Sequence, residues 1–310
     1  MKRTLQLLEK IGVTAEEAEA VYRDAVAIRA SLSAQNRPSK QTFAAIGQIA
    51  EALFRYRHKD FSPRITCCRG AAGARLLFCE PPCGSNTAVF LGERVLFVDG
   101  GFACYQKELF DALKPYIPDI HQRPKDLLLT HADIDHCGGL DVFEQVFLNA
   151  DCSRNFAAER KGLPGFREED AEHAPYVRIS KILSRYRPPS GKNFSVIGQR
   201  QGKGLFEPIG EVIWENLRFS VWQGAGGHIR GETVFIEERQ RLVFSGDVFI
   251  NVKEQTRRQR EYNRIAPALL TSVDTDPLLA ARERTALFDL LPAGRWSIFG
   301  GHGAPMNKSI

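Results

Sequence analysis

The sequence lacks a long apolar segment. No stretch approaches the run of about 18 uncharged apolar residues that a membrane-spanning helix requires. The first residues also reach Glu9 and Lys10 where a secretory signal peptide has its apolar segment. We therefore expect a cytoplasmic protein without a membrane partner.

Cysteines are few and are not arranged as a framework. There are 7, an odd number, and they do not form the paired C-x-x-C knuckles of a zinc ribbon. This pattern argues against a disulfide scaffold. Cys67, Cys68, Cys79 and Cys83 are close enough in sequence to share a second metal or a redox role. Buried or idle thiols are the simpler interpretation, and both remain open at this stage.

A strong charge imbalance is also missing. The net charge is +5, from 42 basic and 37 acidic residues, and so mild an excess does not by itself predict nucleic-acid binding. Residues 181–192 and 253–264 are locally basic. Each stretch is either a solvated surface or an anion-binding region. The 310 residues, 43% of them hydrophobic, suffice for the core of one large domain or two modest ones.

Residues 1–60 predict a helical extension. Thr14 and Glu17 have the spacing of a capping box. The first helix has apolar residues at helical spacing: Val21, Ala25, Ile28 and Leu32. The second helix follows a break at residues 36–40 and has its own apolar face: Phe43, Ile46, Ala50, Leu53 and Phe54. Two such helices cannot bury themselves alone, so they must dock on the main body or form a homodimer.

From about residue 64 the pattern changes to short apolar strands. Several segments are predicted as strands: "RITCC", "ARLLFCE", "SNTAVFLG" with "RVLFVDGG" as a hairpin across Gly92 and Glu93, "DLLLT", residues 211–224, 232–238 and 241–247, and "WSIFGGHG". Helices are predicted at residues 105–114, near 174–186 and at about 277–291. Residues 151–210 are rich in proline, glycine and charge, and no strand ladder is expected there.

Several of these strands end in an acid or an imidazole. Residues 127–140, "LLLTHADIDHCGGL", place two histidines and two aspartates directly after a buried strand. Unpaired carboxylates this close raise one another's pKa, and a divalent cation relieves that repulsion. The other polar strand ends are Asp99, Asp247 and His302, and His228 lies in a glycine-rich loop after a strand. Such groups are expected to meet at one edge of a sheet, where ligands bind.

The ordered series Asp99, "THADIDHCGG", His228, Asp247 and His302 resembles the five motifs of the metallo-β-lactamase fold superfamily, over about residues 70–305. The resemblance implies an α/β protein with a four-layer αββα sandwich and a dinuclear metal site at one edge. It also implies a catalytic domain over residues 61–310, with an insertion or lid at residues 151–210, after an N-terminal helical extension at residues 1–60.

The resemblance also assigns metal ligands. The first metal would be held by His131, Asp133 and His228, the second by Asp135, His136 and His302, with Asp247 bridging both. Asp99 would orient the ligand loop by hydrogen bonding.

One position departs from the family's usual HxHxDH motif, since Asp133 stands where the second histidine is expected. An added carboxylate favours manganese or iron, so zinc and manganese or iron are rated equal. Alternatively, Asp133 turns away and only one metal binds tightly.

The implied activity is hydrolysis of an ester-type bond by a hydroxide held between two divalent metal ions. Asp135 or Asp247 would steer the proton of the nucleophile. With the insertion, four arginines are expected to place positive charge near the mouth of the site: Arg257, Arg258, Arg260 and Arg264. An anionic small-molecule substrate is therefore favoured, a phosphodiester slightly ahead of a lactone or thioester. The alternatives are a diiron oxidoreductase, suggested by Asp133, a nuclease acting on DNA or RNA, and a metal-binding protein without turnover.

Overall fold

The computed structural model describes residues 12–57, 60–265 and 273–310. Its chain opens with helices α1 (Ala15–Ala34) and α2 (Ser39–Arg55). The predicted capping box is confirmed, because Thr14 Oγ1 accepts the Glu17 backbone N–H at 3.2 Å and Glu17 Oε2 accepts the Thr14 N–H at 2.9 Å. Phe54, predicted on the buried face of α2, is 38% exposed. Residues 1–11 of the predicted extension lie outside the described residues.

The first sheet contains seven strands in the described chain, arranged in sequence order. They are β1 (Arg64–Arg69), β2 (Arg75–Glu80), β3 (Thr87–Leu91), β4 (Val95–Val98), β5 (Lys125–Leu128), β6 (Gln145–Leu148) and β7 (Phe194–Val196). Strands β1 to β4 form an antiparallel meander, and the hairpin predicted across Gly92 and Glu93 is its β3–β4 turn. Strands β4 to β7 are parallel, so their carboxyl ends point to one edge.

The second sheet contains six strands in the described chain, in the order β13-β12-β11-β10-β9-β8. They are β8 (Phe206–Trp214), β9 (Leu217–Gly224), β10 (Thr233–Glu237), β11 (Leu242–Gly246), β12 (Arg295–Gly300) and β13 (Met306–Ser309). Among the strand pairs of this second sheet in the described chain, only β11 and β12 run parallel to each other. Their carboxyl ends therefore also share an edge.

The two sheets pack face to face. The Phe90 ring meets the rings of Phe219 and Phe244 edge-on, with centroids 5.7 and 5.5 Å apart, within a core formed by both sheets. The remaining helices are α3 (Gln106–Leu113), α4 (Ala150–Arg160), α5 (Ala174–Leu183), α6 (Arg257–Asn263) and α7 (Pro277–Ala286). Helices α3 and α4 cover the outer face of the first sheet, and the chain after α7 buries Leu287 against Trp296 on the second. The predicted four-layer αββα architecture is confirmed.

The N-terminal helices dock on the main body. Val21 and Ile28 of α1 share one apolar cluster with Leu53 of α2 and with Ile179 and Leu183 of α5. An ion pair reinforces the contact, with Arg178 Nη2 2.5 Å from Asp24 Oδ1. The apolar faces are thus buried within this chain, while a homodimer through these helices stays a prediction.

Residues 151–210 differ from the expectation. The helical patch near 174–186 is confirmed as α5, but the expected lack of strands is wrong, because β7 and the start of β8 lie here. Helix α4 was not predicted. Its exposed faces are so polar that the buried Cys152 and Phe156 give no clear helical periodicity. The last predicted helix ends earlier than expected, at Ala286, and a 3-10 turn over Leu287–Leu290 follows it.

Within the described chain, none of the helices combines the length and apolar character needed to cross a membrane.

Candidate metal centre

The predicted site residues, which are the seven metal ligands and Asp99, come from five separate loops at one edge of the sandwich. Asp99 follows β4, the segment from His131 to His136 follows β5, and His228 lies in the loop between β9 and β10. Asp247 follows β11 and His302 follows β12. The parallel pairs β4–β5 and β11–β12 bring these loops together, one from each sheet. All seven predicted metal ligands meet at this edge, although their binding of metal stays a prediction.

We define the second half-site as Asp135, His136, Asp247 and His302. His136 Nε2 lies 3.4 Å from Asp247 Oδ1, and His302 Nε2 lies 3.5 Å from Asp247 Oδ2. His302 Nε2 is also 3.6 Å from Asp135 Oδ2. One donor atom each of Asp135, His136 and His302 lies within 4.8 Å of the others, so these side chains are close enough to share one ion. The carboxylate of Asp247 faces both half-sites, because its Oδ2 is also 3.5 Å from His228 Nε2.

We define the first half-site as His131, Asp133 and His228. Asp133 Oδ2 lies 3.2 Å from His228 Nε2 and 3.6 Å from His131 Nε2, so the aspartate does occupy the place of the usual histidine. Its two oxygens accept hydrogen bonds from Arg167 Nε at 2.8 Å and Arg167 Nη2 at 2.6 Å. Arg167 lies within residues 151–210, and its Nη2 is also 3.0 Å from His228 Nε2. This contact was not predicted from the sequence.

Several potential ligand atoms at the centre make no hydrogen bond in the described chain. His131 Nε2, His136 Nε2 and Asp247 Oδ1 are buried without a hydrogen bond. Buried polar atoms are normally paired, so atoms without a partner at a cluster of this kind point to a bound group. Imidazole nitrogen with carboxylate oxygen suits zinc, iron or manganese. The donors of the second half-site therefore fit a divalent metal ion.

A glycine leaves room for the cluster. A Cβ added at Gly301 would lie 1.9 Å from Asp247 Oδ1 and 2.9 Å from His136 Cε1. Real Cβ atoms do not come this close to other heavy atoms, so any side chain at position 301 would displace Asp247 or His136. The glycine of "IFGGH" thus has a steric role beside the second half-site.

Local charges shift the pKa values of the buried acids at this edge in opposite directions. Burial alone would raise the pKa of Asp247, but His302 and His136 hold it well below its usual range. Burial would likewise raise the pKa of Asp133, and Arg167 reverses that effect. Glu232 is different, because burial raises its pKa to about 8. Its Oε1 accepts the Asp247 backbone N–H at 2.7 Å, so Glu232 helps to hold the backbone of Asp247 in place.

Asp99 makes the contacts that its predicted orienting role requires. It accepts hydrogen bonds from the Thr130 N–H at 2.9 Å and the Thr130 hydroxyl at 2.8 Å, and its Oδ2 lies 2.8 Å from His136 Nδ1. A contact on Nδ1 leaves Nε2 of His136 free to face the site. Asp274, which the sequence did not single out, lies 2.8 Å from His228 Nδ1 in the same kind of arrangement. The orienting role of Asp99 stays a prediction.

The centre opens into a cavity of about 510 Å³. Its apolar wall includes Leu53 from the N-terminal extension and Val177 and Ile229 from the main body. Arg260 and Arg264 line the same cavity. The other two predicted arginines point elsewhere, since Arg257 pairs with Glu261 at 2.8 Å and Arg258 stacks on the Tyr56 ring.

The remaining sequence alternatives have simpler explanations. Among the described residues, none of the three-residue groups able to hold a metal includes a cysteine, and all seven cysteines are free. The basic stretch at residues 181–192 is largely neutralised within the chain. Lys181 pairs with Glu159 at 2.8 Å and also with Glu168, and both Arg185 and Arg187 contact Glu17.

Two buried sheets with a cluster of histidines and aspartates at their shared edge define a metal-binding α/β protein. The family model described as the metallo-beta-lactamase superfamily matches residues 81–259, more than half of the chain. The chain therefore belongs to the metallo-β-lactamase superfamily, whose members are mostly metal-dependent hydrolases. A comparison with curated proteins finds no match.

The chain is also similar to solved structures at low sequence identity. The BLEG-1 B3 metallo-β-lactamase is 21% identical, with 72% of this chain and 88% of that chain covered and a TM-score of 0.44. For a metallo-β-lactamase from Hirschia baltica, the identity is 14%, the coverage 78% and 91%, and the TM-score 0.45. A flavoprotein from Thermotoga maritima is 15% identical, with 79% of this chain and 58% of that chain covered and a TM-score of 0.48.

Proposed function

We propose that this protein is a metal-dependent hydrolase that cleaves an ester-type bond at the edge formed by the two half-sites. The observation that carries the proposal is the convergence of three groups of potential ligands, each with its donor atoms within 4.8 Å of one another. They are His131 with Asp133 and His228, His131 with His136 and Asp247, and Asp135 with His136 and His302. These groups overlap, and two of their buried nitrogens, His131 Nε2 and His136 Nε2, make no hydrogen bond. A turn with only a structural role does not need such an arrangement.

The proposed centre has positions for two divalent ions, with zinc and manganese or iron as candidates. When bound, such ions acidify a water molecule and polarise the oxygen of the scissile bond. In the chain itself, Asp247 faces both positions, and Asp135 is 21% exposed toward the cavity. We assign to Asp135 and Asp247 the steering of the proton of the attacking water, since both carboxylates stand beside the place where it would bind.

The substrate is proposed to be a small anion with an apolar part. Arg260 and Arg264 bring positive charge to a cavity whose walls are otherwise largely apolar, and guanidinium groups suit phosphate or carboxylate. A phosphodiester ranks slightly ahead of a lactone or thioester. A polynucleotide substrate is less favoured because ion pairs within the chain neutralise the basic stretch at residues 181–192.

The test is an activity screen with bis-p-nitrophenyl phosphate, a lactone and a thioester, before and after removal of metal by a chelator. We expect turnover of at least one substrate, loss of turnover after chelation, and recovery with added zinc or manganese. Asp247→Ala should abolish turnover, whereas Asp126→Asn should retain it, since Asp126 pairs with Arg94 and Trp214 outside both half-sites. Turnover that survives both chelation and Asp247→Ala would overturn the proposal.

The same screen separates the alternatives. A diiron oxidoreductase would contain iron and consume oxygen, and ester cleavage in anaerobic buffer would count against it. A nuclease would bind DNA or RNA with an affinity that falls steeply as salt rises. Metal binding without turnover of any substrate class would favour a binding protein.

A further inference from the structure

Arg167 occupies the first half-site like a bound cation. Its guanidinium binds both oxygens of Asp133 and lies 3.0 Å from His228 Nε2, so it contacts two of the three residues of this half-site. The remaining residue, His131, keeps a buried Nε2 without a partner. The second half-site has no such contact from Arg167 among the hydrogen bonds of the described chain. The two half-sites are therefore unequal before any metal binds.

The fold holds Arg167 in this position. Arg167 lies in a short 3-10 turn over Phe166–Glu168, and the Phe166 N–H donates to Asn155 Oδ1 at 2.7 Å. Glu168 at the end of the turn pairs with the largely buried Lys181. Arg167 Nη1 also donates to the Val273 carbonyl at 2.8 Å, and its side chain is only 18% exposed. These contacts show a built position, unlike that of a surface arginine that happens to reach an acid.

Charge explains why an arginine belongs here. Asp133 adds a carboxylate where the superfamily's usual motif has a neutral histidine, and a buried carboxylate without a partner is strongly unfavourable. Arg167 supplies the compensating positive charge with a bidentate geometry. A metal ion at the first half-site would have to displace this guanidinium from Asp133 or share the carboxylate with it. The second half-site carries no corresponding cost.

We propose that Arg167 controls occupancy of the first half-site, so that the protein binds one divalent ion tightly at the second half-site and another much more weakly at the first. This inference rests on the proposed metal-dependent function. A metal ion at the first half-site must compete with two charge-assisted hydrogen bonds from Arg167 to Asp133. One such bond is worth about 10- to 100-fold in an equilibrium constant, so we expect the two dissociation constants to differ by at least that range.

The test is calorimetric titration of chelator-treated protein with zinc alone and with manganese alone. Wild type should show one tight equivalent and one weak equivalent. Arg167→Met should tighten the weak equivalent about 10- to 100-fold, because the competing hydrogen bonds are gone. It should also increase the thermal stabilisation produced by added metal, since Asp133 then lacks its arginine partner until metal binds. Arg178→Met is the matched control, because it breaks another arginine–aspartate pair on the same insertion, to Asp24, and should leave both equivalents unchanged.

Asp133→Asn keeps the inference testable if Arg167→Met does not fold. It should remove the weak equivalent and keep the tight one, since Asp133 lies outside the second half-site. Two equally tight equivalents in wild type, or loss of the tight equivalent in Asp133→Asn, would overturn the role of Arg167 and leave the proposed hydrolase standing. A wild-type protein that takes up no metal would instead overturn the proposed function and this inference with it.

Discussion

Asp99→Asn tests whether the hydrogen-bonded support of the metal centre works as the structure indicates. Asp99 has a φ of +60°, a conformation that asparagine adopts more readily than most residues, so the backbone should remain in place. The asparagine oxygen can still accept the Thr130 N–H. Its amide nitrogen, however, would face His136 Nδ1, which now lies 2.8 Å from a carboxylate oxygen.

That exchange changes which nitrogen of His136 carries the proton. A carboxylate favours a proton on Nδ1, which leaves Nε2 as the lone-pair donor for a metal. An amide N–H facing Nδ1 favours the opposite tautomer, with the proton on Nε2. Loss of such an orienting contact costs about 10- to 100-fold in metal affinity, or about 1.4–2.7 kcal/mol.

The assay is competition for zinc between chelator-treated protein and a chromophoric chelator, with circular dichroism to verify the fold. Asp126→Asn is the matched control. Asp126 lies in strand β5 and is also a buried aspartate, with 2% of its surface exposed. It accepts hydrogen bonds from Arg94 and Trp214. This control should lower the free energy of unfolding by about 1–3 kcal/mol and leave zinc affinity unchanged. Wild-type affinity in Asp99→Asn, or equal loss in both variants, would refute the reasoning.

Two further predictions concern the room beside the centre and the thiols. Gly301→Ala should weaken metal binding more than tenfold, because its Cβ would lie 1.9 Å from Asp247 Oδ1. Gly47→Ala, with no heavy atom within 4 Å of the added Cβ, should leave binding unchanged and stabilise helix α2 by about 0.5–1 kcal/mol; wild-type binding in Gly301→Ala would contradict the steric argument. At pH 8 a disulfide reagent should label only the exposed Cys67 rapidly. Burial raises the pKa of Cys68 to about 11 and that of Cys104 to about 12, so both thiols stay protonated, and their reaction should speed up about tenfold per unit as pH rises toward those values. Rapid labelling that persists in Cys67→Ser would show that this description of the thiols is wrong.

The sequence was sufficient for the sandwich and for the gathering of the predicted ligands. Apolar strands that end at Asp99, His131 and Asp247 predict that these residues lie close together, because parallel strands place their carboxyl ends at one edge. The hairpin across Gly92 and Glu93 and the capping box at Thr14 are local patterns, and both are confirmed. These features depend on residues that are near one another in sequence or on strand ends that are recognisable one at a time.

What the sequence could not predict depends on tertiary contacts. Arg167 lies in "FREED", a polar stretch in which nothing indicates that one charged side chain turns inward to Asp133. Its position is set by Asn155 and Lys181, which belong to helices α4 and α5. Strand β7 has only three residues, all at least partly exposed, so it has no alternating pattern to detect.

The most direct test of the central claim is elemental analysis of protein purified without added metal, for wild type and for Asp247→Ala. If the histidines and aspartates at the shared edge form a metal centre, wild type should carry at least one divalent transition-metal ion per chain, and Asp247→Ala should carry none while keeping its circular dichroism spectrum. A wild-type protein that contains no metal and takes up none when it is supplied would contradict the account.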